Sequence, residues 1–136
     1  MNKAIIIFIL ALAFIGGFLI FYNPNTPQTW ESKIDEQENV TVTVTPADLG
    51  TESREWKFDI VMSTHSVELD QDMATIAVLV DDFGKEYRPV RWEGVPAGGH
   101  HREGVLTFNQ IIPAPKSIKM KISSVGDVIR NFTWQL

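Results

Sequence analysis

From Val40 onward apolar residues recur at every second position, and that period decides the fold class. Val40, Val42 and Val44 alternate with Thr41, Thr43 and Thr45 up to Pro46. Trp56, Phe58, Ile60 and Met62 alternate with Lys57, Asp59, Val61 and Ser63, and Ile118, Met120 and Ile122 with Lys119, Lys121 and Ser123. Successive side chains of a strand point to opposite faces, so one apolar and one polar face marks a half-buried strand. Residues 74–80, ATIAVLV, are apolar almost throughout, as a central strand covered on both faces requires. Asp81-Asp82-Phe83-Gly84-Lys85 reads as a turn into a returning strand over residues 87–92, which Pro89 restricts to an edge or a bulge. Residues 104–108 and 128–135 complete the set, the latter with Val128, Phe132 and Trp134 sharing a face with Arg130. No helical period follows Tyr22. About seven strands with turn signals between them predict an all-β, antiparallel, immunoglobulin-like β-sandwich. The chain has no cysteine, so its core alone must hold that sandwich together.

Ahead of this pattern stands a run of another kind. Residues 4–22, AIIIFILALAFIGGFLIFY, carry no charge, and Ile, Leu and Phe fill thirteen of the nineteen positions. At ~1.5 Å per residue a helix of that length spans about 28 Å, close to the ~30 Å hydrocarbon layer of a bilayer. The expectation is one N-terminal transmembrane helix. Ala11-Leu12-Ala13 resembles a small-x-small cleavage site, but residues 14–22 continue apolar behind it, which favours an uncleaved signal anchor over a cleaved signal. Lys3 precedes the run, whereas Glu31, Asp35, Glu36 and Glu38 follow it. The positive-inside tendency therefore leaves residues 1–3 as a cytoplasmic stub and places the remainder outside the cytoplasm, as a single-pass protein of the cell membrane. Residues 23–38, with Pro24, Pro27 and no sustained apolar period, read as a tether, and residues 39–136 as one extracytoplasmic domain. With a formal net charge of −5 and no basic run beyond Tyr22, nucleic-acid binding lacks an electrostatic source.

The chemistry-bearing residues are few. His65 follows the second strand, and His100-His101 follow Gly98-Gly99. Neutral imidazoles bind Cu²⁺ or Zn²⁺, and the glycines would let the backbone bring His100 and His101 round an ion, with Glu68 or Glu103 nearby. The competing reading is that the histidines brace two turns through hydrogen bonds to loop carbonyls. Glu68, Asp70, Asp72, Asp81 and Asp82 offer oxygen ligands for Ca²⁺ but read as a solvated acidic rim. Tyr87 and Trp92, with Arg88, Arg91 and Arg102, are residue types enriched at interaction hot spots. Asn39-Val40-Thr41 and Asn131-Phe132-Thr133 are N-glycosylation sequons. The chain has no nucleophile elbow, and a domain of this size is too small to surround a substrate with a deep cleft, so the expectation is not an enzyme.

The order VTVTP, WKFDIVMSTHSVELDQD, AVLVDDFGKEYRPVRW, GGHHREGVLTF and SIKMKI resembles small exported immunoglobulin-like domains of prokaryotes. That group is largely uncharacterised, and some of its members are similar to a mycobacterial secreted antigen. The resemblance covers residues 40–136 and is most specific over VLVDDFGKEYRPV and GHHREGVLTF. It implies a membrane-anchored or lipid-anchored accessory domain without catalytic residues to carry over; this chain departs from lipid-anchored members in lacking a lipobox cysteine. The expected function is protein interaction or envelope assembly through a surface of His65, Trp92, His100, His101 and Arg102. A Cu- or Zn-binding domain using the three histidines is the alternative.

Overall fold

The structure is a computed structural model and describes residues 28–136. The expected membrane helix lies outside the described residues, and among these no helix is long and apolar enough to cross a membrane. The fold is all-β: β1 (Lys33–Gln37), β2 (Val40–Asp48), β3 (Glu55–Thr64), a single helical turn α1 (Met73–Ile76), β4 (Ala77–Asp81), β5 (Glu86–Tyr87), β6 (Arg91–Gly94), β7 (His101–Asn109), β8 (Ser117–Val125) and β9 (Val128–Gln135). All pairings are antiparallel, in one sheet of order β1-β2-β3-β7-β6 and a second of order β5-β4-β8-β9.

The alternation read from the sequence is what builds the core. Val40, Val42 and Val44, then Trp56, Phe58, Ile60 and Met62, are buried on the inner face of the first sheet with Leu106 and Phe108. Leu79, Ile118, Met120, Ile122, Phe132 and Trp134 face them from the second. Phe58 joins the layers, meeting Phe108 edge-on at 5.7 Å within its own sheet and Trp134 at 5.8 Å across the gap.

Three expectations are corrected. There are nine strands rather than about seven: residues 87–92 divide between two strands, and residues 33–37 of the expected tether add another by pairing with β2 from Lys33↔Val44 to Gln37↔Val40. Glu38 and Asn39, both with positive φ, close that hairpin in the two-residue turn that matches strand twist. Trp30 also packs on the core, so the domain starts before residue 39. Second, the apolar run 74–80 begins as helix: the Asp72 side chain accepts from the Ala74 N–H and the Thr75 hydroxyl, capping one turn before β4 starts. Third, residues 87–92 are two strands in different sheets. Tyr87 pairs with Leu79, whereas Trp92 pairs with Leu106, and Pro89 sits at the crossing, where its missing N–H breaks no ladder.

Arg130 is fully buried on the inner face of β9. Its Nη1 donates to Asp35 Oδ1 at 2.5 Å and to the Val40 carbonyl at 3.1 Å; its Nη2 donates to the carbonyls of Gln37 at 2.8 Å and Val125 at 3.1 Å. The inward turn of Asp35 leaves Ile34 pointing outward, 65% exposed. Further along the same flank Trp134 Nε1 donates to the Glu31 carbonyl at 2.7 Å. The segment before β2 is thereby stitched to the last strand of the opposite sheet.

Two outcomes are expected. Arg130→Met leaves the Asp35 carboxylate and several buried carbonyls without a donor and should lower stability by about 3–5 kcal/mol, read as a reduced urea midpoint; Asp35→Asn, which keeps an acceptor in place, should cost roughly 1 kcal/mol. The second concerns acid. Partial burial pushes the Asp81 carboxyl upward, but the hydrogen bonds it accepts from Lys85 N–H, the Tyr87 hydroxyl and Phe83 N–H, with the nearby Lys85 charge, outweigh this and hold it below the ordinary aspartate value. A depressed folded pKa stabilises the fold above the unfolded pKa and loses that contribution as pH falls through the folded one. Asp81→Asn should therefore show a shallower loss of stability than the wild type as pH falls below about 4, measured by urea midpoints across that range.

Candidate functional site

The strands run between two ends of unlike character. One end gathers the start of β1, the end of β4 and the β7–β8 connection. The other gathers the β1–β2 and β8–β9 turns, residues 65–72, and residues 95–100, and it holds every histidine of the chain.

At the histidine end the glycine-rich loop is laid against residues 64–69 by backbone hydrogen bonds. Thr64 N–H donates to the His100 carbonyl and Leu69 N–H to the Gly99 carbonyl, both at 3.0 Å, and Gly98 N–H donates to the Leu69 carbonyl at 2.8 Å. Gly98 and Gly99 have φ of 116° and 78°, which residues with a side chain adopt only with strain, and Glu68 Oε1 accepts from the Gly99 N–H at 2.6 Å. Leu69 is the one residue of this crossing segment driven fully into the core. His65 and His100 are thus brought to one place, and both are exposed. His101 opens β7 opposite Ser63, also exposed, with its Nε2 3.6 Å from Glu103 Oε2. His65 and Ser66 border a cleft of about 370 Å³ whose other wall is the β1–β2 turn with Glu38 and Asn39. Among the described residues no group of three or more His, Cys, Asp or Glu is placed to hold a metal ion.

Arg102 is not a surface residue. It is 2% exposed, in phase with Leu106 and Phe108, and its Nη1 donates to the carbonyls of Gln71 at 2.7 Å and Leu69 at 3.1 Å. Desolvation lowers its pKa from the ordinary arginine value, while Asp72 and Asp70 oppose that shift. The guanidinium carbon lies 5.7 Å from the centre of the half-buried Trp92 ring, whose Nε1 donates to the Val95 carbonyl. The Cζ2 edge of that indole also lies close to Gly94 and Gly104, which face each other across β6 and β7. A Cβ on Gly104 would stand 2.6 Å from Gly94 Cα and 2.7 Å from both the Glu93 carbonyl and the indole.

The remaining candidates separate. Glu68 and Asp72 are engaged in loop and cap bonds at the histidine end, whereas Asp81 and Asp82 lie at the far end of β4, so the five acids form no single rim. Arg91 is committed to a bidentate pair with Glu55, at 2.7 and 2.8 Å, on the outer face. Arg88 donates to the Thr75 carbonyl. Asn39 and Asn131 are both exposed, Asn39 in its hairpin turn and Asn131 on the outer face of β9. The burial of Arg102 had a signal in the sequence: it has the same two-residue phase to Gly104, Leu106 and Phe108 that Arg130 has to Phe132 and Trp134.

No family model and no curated protein matches this chain. Among solved structures it is similar to the crystal structure of a DUF4426 family protein from Pseudomonas aeruginosa PAO1, with 10% sequence identity and a TM-score of 0.44 over 77% of this chain and 92% of that one. A likeness at this level carries no function across.

Gly104→Ala should displace Trp92 from its seat, lowering stability by about 1–3 kcal/mol as an overpacked site does, and should shift the Trp92 indole resonance in NMR spectra.

Proposed function

We propose that the chain is a single-pass membrane protein whose extracytoplasmic, immunoglobulin-like domain presents its histidine end to a protein partner in an envelope assembly. The fold reading is supported by strand order. With β1 set aside, β2-β3-β7-β6 against β5-β4-β8-β9 follows the A-B-E-D and C′-C-F-G order of immunoglobulin-type sandwiches. The membrane reading is supported by the apolar run over residues 4–22, with Lys3 before it and acidic residues after it.

The observation that carries the functional reading is the opposition of the two ends. Residues 28–30 lie at one end, next to Leu49 and Leu136, and the loops bearing His65 and His100 lie at the other. The nine residues of β7 alone separate the ends by about 30 Å. A chain held in a bilayer by residues 4–22 therefore holds its histidine end away from the lipid. The loops there are fixed by backbone hydrogen bonds and by Arg102, so their exposed side chains are ordered before any contact, which reduces the entropy lost on association.

Photo-crosslinkers placed at His65 or His100 in intact membranes should give one discrete protein adduct, and a crosslinker at Glu52, near the opposite end, should give none. The His100 adduct should weaken about tenfold when His65 and His101 are replaced by alanine, as loss of a hot-spot contact demands. A properly folded chain that yields no adduct from either histidine position would sink this reading.

A further inference from the structure

The end opposite the histidines carries the two most exposed large apolar side chains among the described residues. Phe83, in the β4–β5 turn, is 89% exposed and Ile112, in the β7–β8 connection, is 79% exposed. They border one groove of about 380 Å³, walled by Tyr87, Pro113 and Pro115. Ala114 and Pro115 also line the neighbouring groove of about 650 Å³, together with Trp30, Leu49, Trp56 and Leu136. Gln28, the first described residue, borders that second groove. The two apolar tips and the point where the chain continues toward residues 4–22 therefore share one end of the molecule.

The tips are held in place. Asp81 Oδ1 accepts from the N–H groups of Phe83 and Lys85, both at 2.9 Å, and Asp82 Oδ1 accepts from the Lys116 N–H at 3.3 Å, which ties the loop of Phe83 to the loop of Ile112. Two large apolar side chains fixed outward by a polar scaffold contribute nothing to the core. Contiguous exposed apolar surface of this kind marks a site of contact.

We infer that this end is a membrane-contact face, where Phe83 and Ile112 enter the headgroup and acyl boundary of the same bilayer that residues 4–22 span, with Trp30 at the interfacial level. The inference rests on the membrane reading proposed above. Three observations select lipid as the occupant. The tips sit on the end from which the chain leaves toward its apolar run. The eight residues 23–30 reach at most about 29 Å even fully extended, so a spanning segment confines this end to within that distance of the membrane surface. Trp30, a residue type favoured at membrane interfaces, lines the adjoining groove. Lys85 and Lys116 are offset by Asp81 and Asp82, so the contact is apolar and does not depend on anionic lipid.

The absence of native cysteine allows a direct test on the full chain reconstituted in phosphatidylcholine vesicles. An environment-sensitive fluorophore is attached at Lys85→Cys on this end or at His100→Cys on the other, and a fraction of the lipid carries a spin label just below the headgroup. Quenching at position 85 should exceed that at position 100 by at least about twofold, since interfacial side chains sit roughly 5–10 Å into that boundary. Adding Phe83→Ser with Ile112→Ser should return position 85 to the level of position 100. Both side chains are exposed, so the urea midpoint should not change and the protein should still float with the vesicles. A chain that floats but shows equal quenching at both positions, or quenching insensitive to the double serine change, overturns the inference and leaves the membrane reading standing. A blue-shifted but unquenched label at position 85 assigns the face to a protein or a second copy, and also overturns it. A chain stripped from the vesicles by alkaline carbonate overturns the membrane reading and the contact face with it.

Discussion

The arrangement of the two sheets depends on the guanidinium of Arg130. A sandwich has two open flanks where edge strands of opposite sheets approach without backbone pairing, and on one of them β1 meets β9. Arg130 fills that gap by donating to Asp35 and to the carbonyls of Gln37, Val40 and Val125, thereby tying the β1–β2 turn to the β8–β9 turn. A buried cation is costly to desolvate, and here the cost is offset by five donors spread in a planar fork that suits several carbonyls at once. On the other flank Arg102 does the same for the crossing segment, through the carbonyls of Leu69, Gln71 and Val95. A chain without cysteine thus closes both flanks with guanidinium groups.

Both arginines lie toward the histidine end, and this divides the labour within the domain. Toward the other end the core is aromatic, with Trp56, Phe58, Phe108 and Trp134 packed in the gap. At the histidine end the loops supply little core of their own beyond Leu69, and their course is set by hydrogen bonds to arginine and between backbones. Exposed loop residues on such a frame can differ in chemistry without unsettling the packing beneath them, which is the condition a recognition surface requires.

The sequence was legible where burial follows hydrophobicity and misleading where it does not. The inward phases of β2, β3, β8 and β9 were readable because Val, Ile, Met, Phe and Trp occupy most of their inner positions, with Arg130 the one charged residue among them. β1, KIDEQ, was read as tether because its pattern is inverted: Asp35 points inward to Arg130, and Ile34 points to solvent. The buried role of Arg102 was signalled only by its two-residue phase with Leu106 and Phe108, which its charged and polar neighbours, two histidines and a glutamate, masked. The crossing at Pro89 was half legible. Proline announced an interruption, but only long-range pairing assigns Tyr87 and Trp92 to different sheets. His65 and His100 were grouped from the sequence on imidazole chemistry alone; the β3–β7 register that opposes Ser63 to His101, joining residues far apart in sequence, is what brings them to one end.

The placement of β1 has a mechanical consequence for how the domain is joined to the rest of the chain. Only ten residues, 23–32, separate the apolar run from the first strand. Any restraint on that run is therefore delivered to β1, which is an edge strand paired on one side only. Peeling β1 away would remove more than its hydrogen bonds to β2. It would strip Arg130 of Asp35 and the Gln37 carbonyl, and Trp134 of the Glu31 carbonyl, leaving a buried cation and a buried indole N–H partly unpaired. Leaving such groups unsatisfied costs more than an ordinary strand contact, so the opening of the edge is coupled to disruption of the opposite sheet. An edge strand that would fray in isolation is in this way made as hard to displace as the flank it closes.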